Sequence, residues 1–458
     1  MRRNIRLPIG SVCTSNILSL NFHRPMMLLI LFYLITKAAA FSSHVQEEVL
    51  PIGPPIPVNP RVMKPNDKLI MVQVVWRHGD RAPTMTYPTD KHQEDAWPNG
   101  WGELTPLGMR QQYALGRVLH KRYINSTDPL LSRRYGSKEI YIRSTDVNRT
   151  LISAYANLAG MFYEGEPGKD FPEFGNWPHA WTPIPVHTLP VKEDHAGNVF
   201  APCPRADQLD EQLRSSKEFR KLNEDNKDFL DFLSEKTGMK VTLNNIYLIH
   251  DAHHIEKIYG MSQPDWLTDE VSHRLRNLSQ TANEYNYGIA QPYLPELIRL
   301  RGGPLLRTIV DLMNHKLKCN KADAAKDNCA WIKNIKYYAY SAHDTTVAAL
   351  LTTFGDEMDV IRGGLPKYTA SVAMELWELE EGPAVRILFH SAFHHGYHSI
   401  THLTKGCPVD KEFCPLETFE HRSLKFMPSN IEKECQRKEK SNRIKYTHRI
   451  RNKMWRLA

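Results

Sequence analysis

The sequence predicts an α/β fold: a doubly wound, mostly parallel sheet with helices on both faces, carrying a smaller inserted helical cap. Three observations lead there. An almost unbroken apolar run ends in a charged turn and leads into a helix. That strand, polar turn, helix order occurs three times, the pattern of an open α/β sheet. A long helical, polar stretch interrupts the alternation in mid-chain.

The first strand is Lys68-Leu-Ile-Met-Val-Gln-Val-Val-Trp76, and runs of this kind belong to strands covered on both faces. It stops at Arg77-His78-Gly79-Asp80-Arg81-Ala82-Pro83. Thr105-Pro106 then marks a helix start, with Thr as cap and Pro in the first turn, backed by Leu107, Leu115, Val118 and Leu119. The second unit is Glu139–Ile142, the turn Arg143-Ser144-Thr145-Asp146, and a helix through about Phe162. The third is Lys336–Tyr340, the turn Ser341-Ala342-His343-Asp344-Thr345-Thr346, and an apolar helix to Phe354. Ser371–Trp377 and Ala384–His390 alternate around Glu381-Gly382-Pro383 and predict a terminal antiparallel hairpin.

These signals divide the 458 residues into a leader (1–40), a Pro-rich surface arm (41–66), and a first α/β part (67–200). A helical cap (201–310), a second α/β part (311–435) and a basic, unstructured tail (436–458) follow. The leader couples Arg2, Arg3, Arg6 and Arg24 to an apolar run at 26–36 and to Ala38-Ala39-Ala40, the pattern of a secretory signal. Lys37 ends that run short of the roughly 20 residues a spanning helix needs, which weighs against a signal anchor. Met26 or Met27 is an alternative start.

The formal charge of +8 sits at the ends: the first 40 residues carry +5 and residues 433–458 carry +8, which leaves −5 between them. A mildly acidic body without a basic, aromatic-studded patch argues against nucleic acid as a partner. Seven cysteines fit export: Cys13 lies in the leader, and Cys203, Cys319, Cys329, Cys407, Cys414 and Cys435 remain. Cys319 with Cys329 and Cys407 with Cys414 are near enough to pair locally, leaving Cys203 for Cys435, although six cysteines allow fifteen connectivities. Asn125, Asn148 and Asn277 are glycosylation acceptors by pattern, Asn148 the poorest for lying beside a functional motif. Beyond the leader no apolar run reaches membrane length, so a soluble mature chain is expected.

In open α/β sheets ligands bind beyond the carboxyl ends of the strands. Those ends carry Arg77, His78 and Arg81, then Arg143, then His343 and Asp344. Planar guanidinium forks suit a phosphoryl group, whose negative charge spreads over its oxygens during transfer. Among such cations an imidazole stays neutral, and a neutral imidazole can attack phosphorus. Asp344 is then the acid that protonates the leaving oxygen, which points to an acidic working pH. This chemistry calls for no metal and no other cofactor. Each segment taken alone also has a bland reading: a polar turn, surface ion pairs, or Asp344 as a helix cap. His250-Asp251-Ala252-His253-His254 matches no standard metal-ligand spacing and reads as a solvated cap helix or turn.

The segment Val74-Val75-Trp76-Arg77-His78-Gly79-Asp80-Arg81-Ala82-Pro83 resembles the signature of the histidine acid phosphatases. Tyr340-Ser341-Ala342-His343-Asp344-Thr345-Thr346 resembles that family's second signature. Ile142-Arg143-Ser144-Thr145-Asp146 and Gly102-Glu103-Leu104-Thr105-Pro106-Leu107-Gly108 are similar to its intermediate segments. The resemblance runs from about 68 to 435 and is of the lysosomal and prostatic kind. It implies a phosphoglycerate mutase-like two-domain fold, often dimeric, and hydrolysis of small-molecule phosphate monoesters. It also implies His78 as nucleophile, Asp344 as proton donor, and Arg77, Arg81, Arg143 and His343 as phosphate ligands. Cys203 and Cys435 resemble a family pair, while Trp76 stands where a smaller or phenyl side chain is usual. The basic tail takes the place of the lysosomal members' membrane span, which favours secretion or a lumenal location. The competing functions are an inositol-polyphosphate (phytase-like) phosphatase, a catalytically inert secreted glycoprotein of the same fold, and a phosphomutase.

Overall fold

A computed structural model describes residues 60–178, 181–321, 329–356, 360, 364–392 and 396–438. The expected leader, most of the surface arm and most of the basic tail lie outside the described residues.

Strand β1 (Lys68–Arg77) is buried from Ile70 to its end. After the signature loop comes α1 (Pro106–Tyr123), whose Thr105 cap accepts a hydrogen bond from the Gly108 amide. Strand β2 (Ile140–Ser144) and α2 (Asn148–Met161) follow. Six helices then run in succession: α3 (Pro204–Arg214), α4 (Lys217–Asp225), α5 (Lys227–Thr237), α6 (Ile246–Ile258), α7 (Asp269–Tyr287) and α8 (Pro295–Arg301). The chain returns to the sheet through α9 (Gly303–Lys321), β3 (Tyr337–Ala342) and α10 (Asp344–Phe354). The hairpin β4 (Ser371–Leu379) and β5 (Gly382–His390) and the two-residue strands β6 (His398–Ser399) and β7 (Cys414–Pro415) complete it.

The sheet order is β2-β3-β1-β4-β5-β6, with β7 also on β5. β3 lies parallel between β2 and β1, and the hairpin adds its strands antiparallel, so the open α/β sheet is mixed. Alternation along β1 sorts the two faces. Val72, Val74 and Trp76 pack with Leu115, Leu119 and Leu158 of α1 and α2. Met71 and Val75 pack with Leu306, Ile309, Val347 and Leu351 of α9 and α10. Each such fully buried aliphatic side chain contributes on the order of 1.5–3 kcal/mol, so helices must cover both faces. Trp76 is fully buried and donates its indole N–H to Ser341 Oγ at 2.9 Å.

Helices α3 to α8 pack around a separate apolar cluster that includes Leu209, Leu233, Ile249, Leu275 and Leu297. The Cys203–Cys435 disulfide belongs to that cluster and ties the end of the described chain to α3. The other two disulfides are Cys319–Cys329 and Cys407–Cys414, the local pairs the spacing allowed. The three acceptor asparagines, Asn125, Asn148 and Asn277, are all exposed.

Candidate active site

Register decides what meets at the rim. Arg77 stands opposite Ala342, Ser144 opposite Ser341, and Trp76 opposite Ser371. The carboxyl ends of β1, β2 and β3 and the turn leading into β4 therefore share one edge.

The loop after β1 has almost every backbone group accounted for. The Arg77 amide donates to Ala370 O at 2.9 Å, and the Arg77 carbonyl accepts from Gln112 Nε2 at 2.7 Å. The His78 amide donates to Ala342 O (3.0 Å), and its carbonyl accepts from the Thr369 amide (3.3 Å). Gly79 N donates to Ser153 Oγ (3.2 Å) and Asp80 N to Gln111 Oε1 (2.8 Å). Two glycines permit the close fit: a Cβ on Gly79 would lie 2.2 Å from Gly108 O, and one on Gly108 would lie 2.1 Å from Asp80 O. Thr369 holds φ +63°, a strained conformation for a β-branched residue at a point where it supports His78.

His78 Nδ1 lies 2.7 Å from Gly79 O. A carbonyl only accepts, so Nδ1 carries the hydrogen and Nε2 keeps its lone pair. Burial, then the charges of Arg77, Arg149 and Arg81, holds the imidazolium form well below its ordinary range. The His343 ring sits edge-on to His78 at 5.7 Å, with Nε2 3.0 Å from Thr145 Oγ1 and Nδ1 3.4 Å from an Arg149 nitrogen. Burial and the neighbouring Arg149 push its pKa down to about 3.

Asp344, the first residue of α10, pairs with Arg77 (Nη2 to Oδ2 2.9 Å). Burial alone would raise its pKa, but Arg77 and Arg81 outweigh that and hold it below the ordinary value. Arg77 also donates to Pro366 O at 2.6 Å and stacks on Tyr368 at 4.2 Å. Arg81 forms a two-point pair with Asp251. Among the described residues, the Nε atoms of Arg77, Arg81 and Arg149 are all buried without a hydrogen-bond partner. Three unsatisfied guanidinium donors around one neutral imidazole make an anion site.

Two sequence expectations need correction. Arg143 lies within β2, where alternation turns it away from Ile142 and the α1–α2 layer. It pairs instead with buried Asp194 (2.6 Å) and lies beside Tyr338. The guanidinium that joins the cluster is Arg149, in the first turn of α2, whose pKa burial and Arg81 lower to about 10. The signal was its place just past a polar turn, at a helix N-terminus. The segment 250–254 is helical, as expected, but only partly solvated: His254 is exposed, whereas His253 is buried, bonded to Tyr87, Glu256 and Gln263, and Asp251 reaches Arg81.

A family model described as histidine phosphatase superfamily (branch 2) matches residues 68–390. The chain is 34% identical over 384 residues to the lysosomal acid phosphatase of Homo sapiens, covering 83% of each chain. It is 34% identical over 371 residues to the prostatic acid phosphatase of the same species, covering 80% of this chain and 88% of that protein. Among solved structures, a Hafnia alvei phytase in complex with myo-inositol hexakis sulphate superposes with a TM-score of 0.57 at 16% identity, over 82% of this chain and all of that one. That likeness is one of fold.

Proposed function

Because the chain belongs to branch 2 of the histidine phosphatase superfamily, we propose that it is an acid phosphatase that hydrolyses phosphate monoesters through a phosphohistidine. The observation that carries this reading is the Nδ1–H to Gly79 O bond, which leaves the Nε2 lone pair of His78 free among three guanidinium groups.

His78 Nε2 attacks phosphorus, the bond from phosphorus to the ester oxygen breaks, and the departing oxygen takes the proton of Asp344. Water then attacks the phosphohistidine, Asp344 recovers a proton from it, and the N–P bond breaks to release phosphate. Arg77, Arg81 and Arg149 hold the equatorial oxygens of the phosphoryl group, with His343 beside them. With the site empty, Arg77 keeps Asp344 ionised. An arriving phosphate dianion shares the Arg77 fork, weakens that hold, and lets the carboxyl take up the proton it later donates.

Helices α3 to α8 act as a cap that bounds the leaving-group side of the site. The secretory route fits three disulfides. Among the described residues no helix is long and apolar enough to cross a membrane. Sequence identity of 34% to acid phosphatases supports the monoesterase reading over an inositol-polyphosphate enzyme.

The test is hydrolysis of a small aryl phosphate at about pH 5 with a chelator present, for wild type and His78→Ala. Acid quenching should trap a phosphorylated wild-type enzyme that is absent in His78→Ala. A folded wild type that turns over nothing, or only highly phosphorylated inositols, defeats the proposal.

A further inference from the structure

The helix α6 touches the signature loop along a single face. Asp251, Ile255 and Tyr259 recur every four residues and so stack on one side of the helix and its C-terminal turn. Asp251 accepts from Arg81 twice, Nη1 to Oδ2 at 2.8 Å and Nη2 to Oδ1 at 3.0 Å. Ile255 is fully buried against Ala82 and Trp97. The Tyr259 hydroxyl donates to Asp80 Oδ2 at 2.5 Å.

Resting on the phosphatase reading above, we propose that Asp251 is a positioning residue that sets the plane of the Arg81 guanidinium so that its Nε edge meets the transferring phosphoryl group.

A guanidinium offers donors along two usable edges, the Nη1/Nη2 end and the side that includes Nε. In Arg81 the end is taken by Asp251, and Nη1 also donates to Ala82 O at 3.1 Å. The Nε atom is buried and unsatisfied. A two-point carboxylate pair stops rotation of the planar group, so the open edge keeps one direction. Without it, a long flexible side chain would be free to turn its end toward Asp344, whose charge it already feels. The Asp251 charge also offsets part of the attraction between Arg81 and a bound phosphate. It therefore favours alignment during transfer over tight ground-state binding. An element remote in sequence thus orients the phosphate ligand of the loop it covers.

The experiment compares wild type, Asp251→Asn, Arg81→Lys and the double variant, reading kcat and KM for an aryl phosphate, Ki for inorganic phosphate, and Tm. Asp251→Asn is expected to lower kcat about 10- to 100-fold, as misplacement of a binding group does. Ki for phosphate should stay unchanged or tighten, with Tm close to wild type. The double variant should be no slower than Arg81→Lys alone, because Asp251 acts through Arg81. Unchanged kcat, additive losses, or a joint fall of kcat, phosphate affinity and Tm would each overturn the proposal. In wild type, the Arg81 Nε–Hε resonance, assigned by its loss in Arg81→Lys, should move on adding orthovanadate; a static resonance overturns the proposal even where Asp251→Asn does not fold. A wild type that fails to turn over aryl phosphate sinks the phosphatase reading instead, so the two failures are told apart.

Discussion

The Arg77 guanidinium and the Asp344 carboxylate form an ion pair at 2.9 Å across the ends of two neighbouring parallel strands. In the proposed reaction that pair has to loosen, since an ionised carboxylate has no proton to give. Binding of a phosphate dianion should therefore be accompanied by proton uptake. Calorimetry of inorganic phosphate binding at about pH 8, where the free ligand is already a dianion, in buffers of different ionisation enthalpy, reads the number of protons directly. Uptake approaching one proton per site is expected, and Asp344→Asn should abolish it.

Asp344→Asn should also separate substrates by leaving group. Loss of a general acid slows alkyl phosphates by about 10²–10⁴-fold. Aryl phosphates whose leaving oxygen needs no proton should lose far less. Equal losses on both would exclude the donor role.

Arg149→Ala and Arg143→Ala should fail in different ways. Arg149 faces the cluster, so its loss should lower kcat/KM by about 10²–10³-fold, as removal of one preorganised donor to developing charge does. Arg143 pairs with Asp194, whose side chain is only 2% exposed. Removing Arg143 leaves that buried carboxylate the Gly197 amide but no counter-ion, a destabilisation of about 3–5 kcal/mol read by denaturant melting.

Gly108→Ala places a methyl against Asp80 O, backbone that no side-chain rotation can relieve. A loss of about 1–3 kcal/mol and of most activity is expected, because the same shift displaces His78. Wild-type melting and turnover in Gly108→Ala would show that the loop yields more easily than its hydrogen bonds suggest.

Acid should weaken the fold before it stops the chemistry. The His343 and His250 pKa values lie near about 3 and about 4, each lowered first by burial, and His78 is lowered as well. The unfolded chain protonates these groups at about pH 6.5 while the folded chain resists, so stability is full above that pH and falls as pH drops toward the folded values. Tm should decline from about pH 7 to pH 4, inorganic phosphate should raise it across that range, and His250→Gln should flatten part of the slope.

What the sequence by itself determined is local. Strand, turn and helix follow from apolar runs, caps and breakers, and the signature residues lie at strand ends where a parallel sheet must expose them. His78, Asp344, Arg77 and Arg81 were legible for that reason, as were the hairpin and the two short disulfide loops. The tertiary structure decided which way each side chain turned and what reached it from far away. Arg143 and Arg149 are six positions apart in one segment, yet strand alternation aims the first at Asp194 while the first turn of α2 aims the second at the rim. Asp251 and Tyr368 come to Arg81 and Arg77 from 170 and 291 positions down the chain. No period or motif encodes such contacts, because they exist only once both helix layers and the cap have packed against the sheet.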